Sequence, residues 1–113
     1  MRSAGWFTEE LPWSAVEKKT ARRAFDQAYQ RKCGDIAAEV KKMAVRSSSP
    51  PDLWQIHDFL SEQRKVVDRT FDYRYSVLLS VFGRLLREGL LMEADLAGLK
   101  EDKIERIKRW ASL

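Results

Sequence analysis

The feature that most limits the fold of this chain is an uninterrupted helical pattern from Ser14 to Arg46. Ser14 with Glu17 three residues later is a capping box, which marks a helix start, and the next proline is Pro50. At about 1.5 Å per residue, thirty-odd helical residues extend about 50 Å. A compact globule of 113 residues is only about 35 Å across. The helix must therefore either bend, with Gly34 as its weakest position, or project from its own domain.

An apolar stripe about 120° wide runs along this helix and has to be covered. A second copy of the chain is the usual cover for a projecting helix, so the pattern predicts a homodimer. The alternative is a monomer in which the first helix bends and four helices close on themselves. The stripe consists of Phe25, Ala28, Tyr29, Lys32, Ile36, Val40 and Met43.

The predicted fold class is all-α, because no segment alternates at strand spacing. Ser49 and Pro50 start a second helix, Asp72 is the predicted cap of a third, and Gly89 ends that helix. We expect helices at 13–45, 50–69 and 72–88, short C-terminal helices within 93–111, and a flexible tail at 1–12. Residues 13–113 then form one domain, with a dimeric stalk or bundle made by the first two helices and a small head made by the later ones.

Composition excludes several classes of protein. Cys33 and His57 are the sole cysteine and histidine, so neither an internal disulfide nor a Cys/His zinc set is available. The scattered glycines form no phosphate loop, and we predict neither a cofactor nor bond-making catalysis. A nucleophilic Cys33–His57 pair is the enzymatic alternative, although single residues of these types usually belong to a core. No apolar run approaches the roughly 18 residues of a membrane span, so we expect a cytoplasmic protein.

Positive charge is concentrated in the first helix. From Trp13 to Arg46 there are nine basic and four acidic residues. Such a helix either meets an acidic partner or phosphates, or presents an ordinary solvated face. Nucleic-acid binding is disfavoured, because Asp26, Asp35 and Glu39 interrupt the basic residues and no base-stacking aromatics line them.

Trp54 lies on the polar side of the second helix. Leu53, Ile56, Leu60, Arg64 and Val67 share the apolar face, whereas Trp54 falls in a stripe with charged and polar residues. A large aromatic side chain gains little from contact with water. Either a neighbouring helix of the same chain covers it, or it packs against another chain.

Three charged or titratable residues follow Trp54 along the same helix. His57 and Asp58 are adjacent and project about 100° apart, so no hydrogen bond between them is predicted. Asp58 and Arg64 lie six residues apart on the helix and cannot pair within it. Across the two-fold axis of an antiparallel dimer they could, and the position of Arg64 on an apolar face favours that pairing. The alternative is that both are ordinary exposed charges.

Several segments in order resemble the fluorescence recovery proteins of cyanobacteria, from about Pro12 to the C-terminus. These proteins are small all-α dimers. They bind the C-terminal domain of the orange carotenoid protein, a light-activated quencher of the phycobilisome antenna, and speed its return from the red to the orange form. They also help to detach it from the antenna. The matching segments are Pro12-Trp13-Ser14, Ala28-Tyr29-Gln30-Arg31, Asp52-Leu53-Trp54, His57-Asp58-Phe59-Leu60, Arg64, Tyr73-Arg74-Tyr75-Ser76-Val77 and Leu85-Leu86-Arg87-Glu88-Gly89-Leu90.

The resemblance also implies site residues. The partner-binding patch falls on Trp54, His57, Asp58 and Arg64, and the implied dimer interface comprises Leu53, Trp54, Asp58 and Arg64. A second contact is implied in the head at Ser80 and Arg106, where Ser80 replaces an aromatic residue of the family pattern. The Ser-Pro-rich loop and the Trp6-Phe7 segment also depart from that pattern. A relative with another protein partner, in a bacterium without phycobilisomes, is the alternative.

Overall fold

The protein is described by a computed structural model that covers residues 12–113. Its helices are α1 (Ala15–Arg46), α2 (Pro50–Thr70), α3 (Leu78–Arg87), a 3-10 turn (Glu93–Leu96) and α4 (Glu101–Ala111). Residues 12–113 contain no β-strand, which confirms the all-α class. The predicted flexible tail lies outside the described residues, apart from Pro12.

The first helix is continuous and long enough to project from the domain. The Ser14 hydroxyl accepts a hydrogen bond from the Glu17 N–H at 3.1 Å, and the Glu17 carboxylate accepts one from the Ser14 N–H at 3.0 Å. This is the predicted capping box, and α1 then continues through Gly34 without a break. The molecule is 65 Å long with a radius of gyration of 17.7 Å, against about 13 Å for a compact chain of this size. The bent-helix alternative is therefore wrong.

The hydrophobic core occupies one end of the molecule, which we call the head. There the first half of α1 presents the small side chains of Ala21, Ala24 and Ala28, all fully buried. Small residues let other elements approach a helix closely, so α3, α4 and the 3-10 turn pack around this face. The other buried apolar residues are Phe25, Leu78, Phe82, Leu85, Leu90, Leu91, Leu96, Leu99 and Ile107.

The third helix begins later than predicted. It starts at Leu78 rather than near Asp72, because the Asp72 carboxylate accepts hydrogen bonds from the backbone N–H and the guanidinium of Arg74. Those bonds form a local turn, which is the common competitor of a helix cap. Phe71 and Tyr73 pack edge-to-face on Phe25 and hold the segment non-helical. The predicted helix start at residue 72 is wrong for this reason.

The end of α3 is the one predicted from Gly89. The Leu90 N–H bonds to the Leu85 carbonyl at 2.9 Å and the Gly89 N–H to the Leu86 carbonyl at 3.1 Å, which is the Schellman pattern. Gly89 has a φ of 78°, a value that a side chain disfavours. Leu85 and Leu90 are both buried, so the motif also directs the following loop back into the core.

A buried ion pair joins the start of α1 to α4. The Lys103 ammonium lies 3.2 Å from the Glu17 carboxylate, and both side chains are only 2% exposed. The same ammonium donates to the Pro12 carbonyl at 2.6 Å and sits 5.0 Å from the centre of the Trp13 ring. The second oxygen of Glu17 accepts from the Lys100 N–H at 2.9 Å. Every charge is therefore compensated, as burial requires.

This network controls the ionisation of Glu17. Burial alone raises the pKa of Glu17, but hydrogen bonds from the backbone N–H groups of Lys100 and Ser14 and the nearby Lys103 outweigh burial. The pKa falls from 4.5 to about 2. Glu17 is therefore ionised at neutral pH although it is buried.

A second polar contact braces α1 against the 3-10 turn. The Arg31 guanidinium lies 2.8 Å from the Asp95 carboxylate and donates to the Leu90 carbonyl at 2.9 Å. This hydrogen-bonded pair lowers the pKa of Asp95. Arg31 thus ties the first turn of the projecting part of α1 to the head.

Candidate functional site

The projecting part of the molecule, residues 29–69, has no fully buried residue. We call it the stalk; it consists of the second half of α1 packed along α2. Leu53 is 54% exposed, and Leu60 is also exposed. An apolar groove of about 370 Å³ lies between the two helices. Its lining residues are Cys33, Ile36, Ala37, Val40, Lys41 and Leu60.

Trp54 is exposed to solvent on this stalk. Its side chain is 61% exposed, so no helix within residues 12–113 covers it. The ring is tilted edge-on to His57 one turn further along, with the ring centres 6.4 Å apart. The two rings form a small exposed aromatic surface near the start of α2.

His57 and Asp58 contact each other, contrary to the prediction. Nδ1 of His57 lies 3.3 Å from Oδ1 of Asp58, although the two Cα–Cβ bonds diverge. Rotation about the side-chain bonds brings the tips together, and both groups are solvent-exposed. A contact of this kind is worth little energy in water. Cys33 and His57 are not brought together; the thiol of Cys33 lies beside Tyr29 and raises the pKa of its hydroxyl.

Arg64 pairs one turn along its own helix. Its Nε lies 3.2 Å from a carboxylate oxygen of Asp68, with side chains 80% and 63% exposed. Among residues 12–113, Asp58 contacts no basic side chain other than His57. Within one chain Asp58 and Arg64 therefore do not meet, and their pairing across a two-fold axis stays a prediction.

Arg64 also borders a cleft at the junction of stalk and head, which sequence reasoning missed. The cleft has a volume of about 460 Å³. Arg64, Val67 and Asp68 form one wall and an α1 face forms the other, while Phe71 closes the end. The α1 residues are Arg22, Phe25, Asp26 and Tyr29. The spacing of Phe25 and Tyr29, one helical turn apart, was the signal that could have indicated it.

Aromatic rings continue from this cleft into the head as one connected row. Neighbouring ring centres are 4.8–5.6 Å apart, which is the favourable range for edge-to-face contact. The Arg22 guanidinium lies over Tyr73 at 4.6 Å from the ring centre. Burial and the adjacent Tyr75 raise the pKa of Tyr73 to about 12. In order, the row is Trp13, Tyr75, Tyr73, Phe25, Phe71 and Tyr29.

The two predicted head residues lie on different helices. The Ser80 hydroxyl donates to the Val77 carbonyl at 2.8 Å, and Arg106 is exposed on α4. Gly83 of α3 approaches Trp110 of α4, and Arg87 donates to the Leu113 carbonyl at 3.3 Å. The two helices therefore pack closely against each other, with Ser80 on α3 and Arg106 on α4.

Residues 12–113 contain no group of three or more metal-ligating side chains. None of the helices in that range is long and apolar enough to cross a membrane. The arrangement is one of exposed aromatic and charged side chains on rigid helices, which suits recognition of another macromolecule.

Comparison with known proteins decides the family. A sequence model described as "photoprotection regulator fluorescence recovery protein" matches residues 13–111. The chain belongs to the fluorescence recovery protein family. The fluorescence recovery protein of Synechocystis sp. is 42% identical over 106 residues, which cover 94% of this chain and 97% of that protein. The predicted resemblance is confirmed.

Solved structures of fluorescence recovery proteins share the fold. The protein from Synechocystis sp. superposes with a TM-score of 0.84 at 41% identity, and the protein from Fremyella diplosiphon with 0.83 at 37% identity. Each comparison covers 90% of this chain and all of the other one. The projecting stalk and the small head are therefore features of the family's fold, and the family is one of photoprotection regulators.

Proposed function

We propose that the protein is a homodimer whose stalks pack together. The supporting observation is the complete lack of buried residues between 29 and 69, although that segment carries an apolar groove and an exposed Leu53 and Trp54. Burial of apolar surface stabilises a protein by about 25 cal/mol per Å². If the stalk stayed uncovered, its apolar side chains would not contribute this stabilisation. A second copy offers the matching surface, because a two-fold interface uses the same patch twice.

The proposed pairing of Asp58 with Arg64 sets the register of the two α2 helices. If these residues lie opposite each other in an antiparallel pair, Ser61 lies on the two-fold axis. Trp54, seven residues before Ser61, then lies opposite Asp68, seven residues after it. Asp68 borders the junction cleft. In this register Trp54 of each chain lies near Arg64 of the other, so the dimer brings the patch residues of both chains together.

We further propose that the dimer binds the C-terminal domain of the orange carotenoid protein and accelerates its return from the red to the orange form. Support comes from membership of a family of photoprotection regulators and from the exposed patch at Trp54, His57, Asp58 and Arg64. The proposed partner carries the pigment, so the regulator requires no cofactor and makes no bond. It acts by binding a compact state of its partner better than the open one. The encounter takes place in the cytoplasm, and reversion ends quenching of the phycobilisome.

The experiment that tests this proposal is the dark decay of photoactivated orange carotenoid protein with and without the purified chain. The expected result is a faster red-to-orange decay. An unchanged decay despite demonstrated binding would reduce the protein to an adaptor, and absence of binding would favour a different protein partner. Nucleic-acid binding would instead appear as salt-dependent retardation of DNA or RNA.

Two variants test the patch. Trp54→Ala removes an exposed aromatic anchor and is expected to weaken partner binding by about 2 kcal/mol if the ring is a central contact. Arg64→Lys keeps the charge but loses the planar fork of donors, so the decay should slow. Gln55→Ala and Arg69→Lys on the same helix are the matched controls. If both patch variants leave dimerisation and decay unchanged while circular dichroism shows native helix content, the patch is not the site.

The head provides the second proposed contact, at Ser80 and Arg106. Ser80 lies on α3 and Arg106 on α4, two helices that pack closely at Gly83 and Trp110, and neither side chain belongs to the core. Ser80→Phe restores the aromatic type of the family pattern and is expected to strengthen binding. Equal affinity of Ser80→Phe and the parent chain would remove Ser80 from the contact.

A further inference from the structure

The last turns of α4 form a small cleft on the head. Trp110 is 47% exposed there and Leu113 is 78% exposed. Together with the guanidinium-bearing Arg106 and Arg109 they surround a space of about 260 Å³. Arg106 and Trp110 are one helical turn apart, so both face the same side of α4.

The charges around this cleft are unequally paired. Lys108 lies 3.2 Å from the Glu93 carboxylate and is neutralised by it. Arg106 and Arg109 have no carboxylate within ion-pair distance among residues 12–113. Arg87 donates a hydrogen bond to the main-chain oxygen of Leu113 at 3.3 Å, so its guanidinium has a partner. The apolar cleft is thus bordered by two guanidinium groups that form no ion pair within residues 12–113.

Trp110 is held in place by the close packing of α3. A Cβ atom on Gly83 would collide with the Cβ atom of Trp110 and crowd the Ile107 carbonyl. Because residue 83 is glycine, α3 can approach α4 closely at Trp110. This contact holds the backbone of Trp110 against α3. A ring on a rigid backbone loses little conformational entropy when it binds, which is the usual property of an anchor at an interface.

The size of the cleft indicates what it can hold. Sites for small molecules and cofactors typically occupy about 300–1,000 Å³; the cleft, at about 260 Å³, is slightly smaller and has room for one large side chain. Trp110 and Leu113 offer apolar contact, and guanidinium groups bind carboxylates through paired hydrogen bonds. The cleft is complementary to an apolar side chain that is flanked by carboxylates.

We propose that this cleft binds an acidic segment of a protein partner, with an aromatic or aliphatic side chain placed on Trp110 and neighbouring carboxylates on Arg106 and Arg109. The inference deepens the proposed head contact and rests on it for Arg106. It adds Trp110 and Arg109 as determinants of specificity. Binding at this cleft does not require the stalk patch.

The test uses the isotopically labelled full chain and a synthetic probe peptide, Asp-Asp-Phe-Asp-Asp. Titration followed by NMR at the tryptophan indole N–H is expected to shift the Trp110 signal. Arg109→Glu is expected to weaken binding about tenfold, because one charge-assisted pair is replaced by repulsion. Trp110→Ala keeps the Cβ atom that packs on Gly83 and should also weaken binding. Arg23→Glu, an exposed basic residue of α1, is the matched control and should bind as the parent chain does.

Two further peptides test whether binding requires the negative charges and the aromatic side chain of the probe. Replacing the four aspartates by lysines, or the phenylalanine by alanine, should each abolish most of the shift. No shift of Trp110 with the acidic peptide, or equal binding by the lysine peptide, would overturn the proposal. So would a change in oligomeric mass or the loss of nucleic-acid retardation in Arg109→Glu, since these outcomes assign the cleft to a second copy or to phosphates. The titration contains no carotenoid protein, so its failure is distinguishable from failure of the reversion assay.

Discussion

Replacing Lys103 by Met tests whether the buried ion pair holds the start of α1 against α4. Met retains the length of the lysine stem but removes the ammonium, which contacts Glu17, the Pro12 carbonyl and the Trp13 ring. The Glu17 side chain, which is 2% exposed, then stays buried without its counter-ion. Breaking a buried pair on one side costs about 3–5 kcal/mol. We therefore expect Lys103→Met to lower the free energy of unfolding at pH 7 by about that amount.

The effect should depend on pH in a defined direction. Folding lowers the pKa of Glu17 from 4.5 to about 2, so its stabilising contribution is fully present above about pH 4.5. This contribution amounts to about 3 kcal/mol and is lost as the pH falls from 4.5 toward 2. In Lys103→Met the carboxyl lacks the ammonium and takes up its proton at a higher pH. The difference in stability between the parent chain and the variant should therefore shrink as the solution is acidified.

Urea unfolding followed by circular dichroism at pH 7 and pH 3 measures both quantities. The protein concentration must be held constant, because association stabilises the folded state. Lys19→Met, an exposed residue of α1, is the matched control and should change stability by less than about 0.5 kcal/mol. Glu17→Gln combined with Lys103→Met should recover much of the loss, since the amide oxygen can still accept the Lys100 N–H. A loss below about 1 kcal/mol at pH 7, or an equal loss at pH 3, would refute the reasoning.

Two other predictions address the stalk and the head. Leu53→Glu places an unpaired charge in the proposed interface and should convert the dimer to a monomer, as measured by light scattering; a parent chain that is already monomeric at micromolar concentration would contradict the dimer. Gly83→Ala should lower the thermal midpoint by the equivalent of about 1–3 kcal/mol, because the new Cβ meets Trp110 and Ile107. Gly34→Ala is its control: nothing lies within 4 Å of the added atom, so helix propensity alone should stabilise the protein by about 0.5–1 kcal/mol. Equal effects of the two glycine variants would show that helix packing at Gly83 is not tight.

The exposed site could be located from the sequence, but its contacts could not. The helical period placed Trp54 on the polar side of α2, and the structure leaves it uncovered. The contact between His57 and Asp58 was missed because the helical angle describes Cα–Cβ directions, whereas the tips of side chains move by several ångströms on rotation about χ angles. The pairing of Arg64 with Asp68 shows the same limit: the residue one turn away competes with any distant partner.

The ends and the length of the helices were determined by the sequence itself. Ser14 with Glu17 and Gly89 with Leu90 act through hydrogen bonds that join residues at most five positions apart, so the local sequence contains both partners. The absence of proline between Pro12 and Pro50 likewise sufficed to predict a helix longer than a compact domain of this size.

Only the tertiary structure decided what the helices contact. Glu17 and Lys103 are 86 positions apart, and nothing near either residue indicates its partner. At Asp72 the sequence allowed both a helix cap and a turn, and the packing of Phe71 and Tyr73 on Phe25 decided for the turn. Such contacts depend on the relative placement of distant elements, which is set by the burial of the whole core and by no local hydrogen bond.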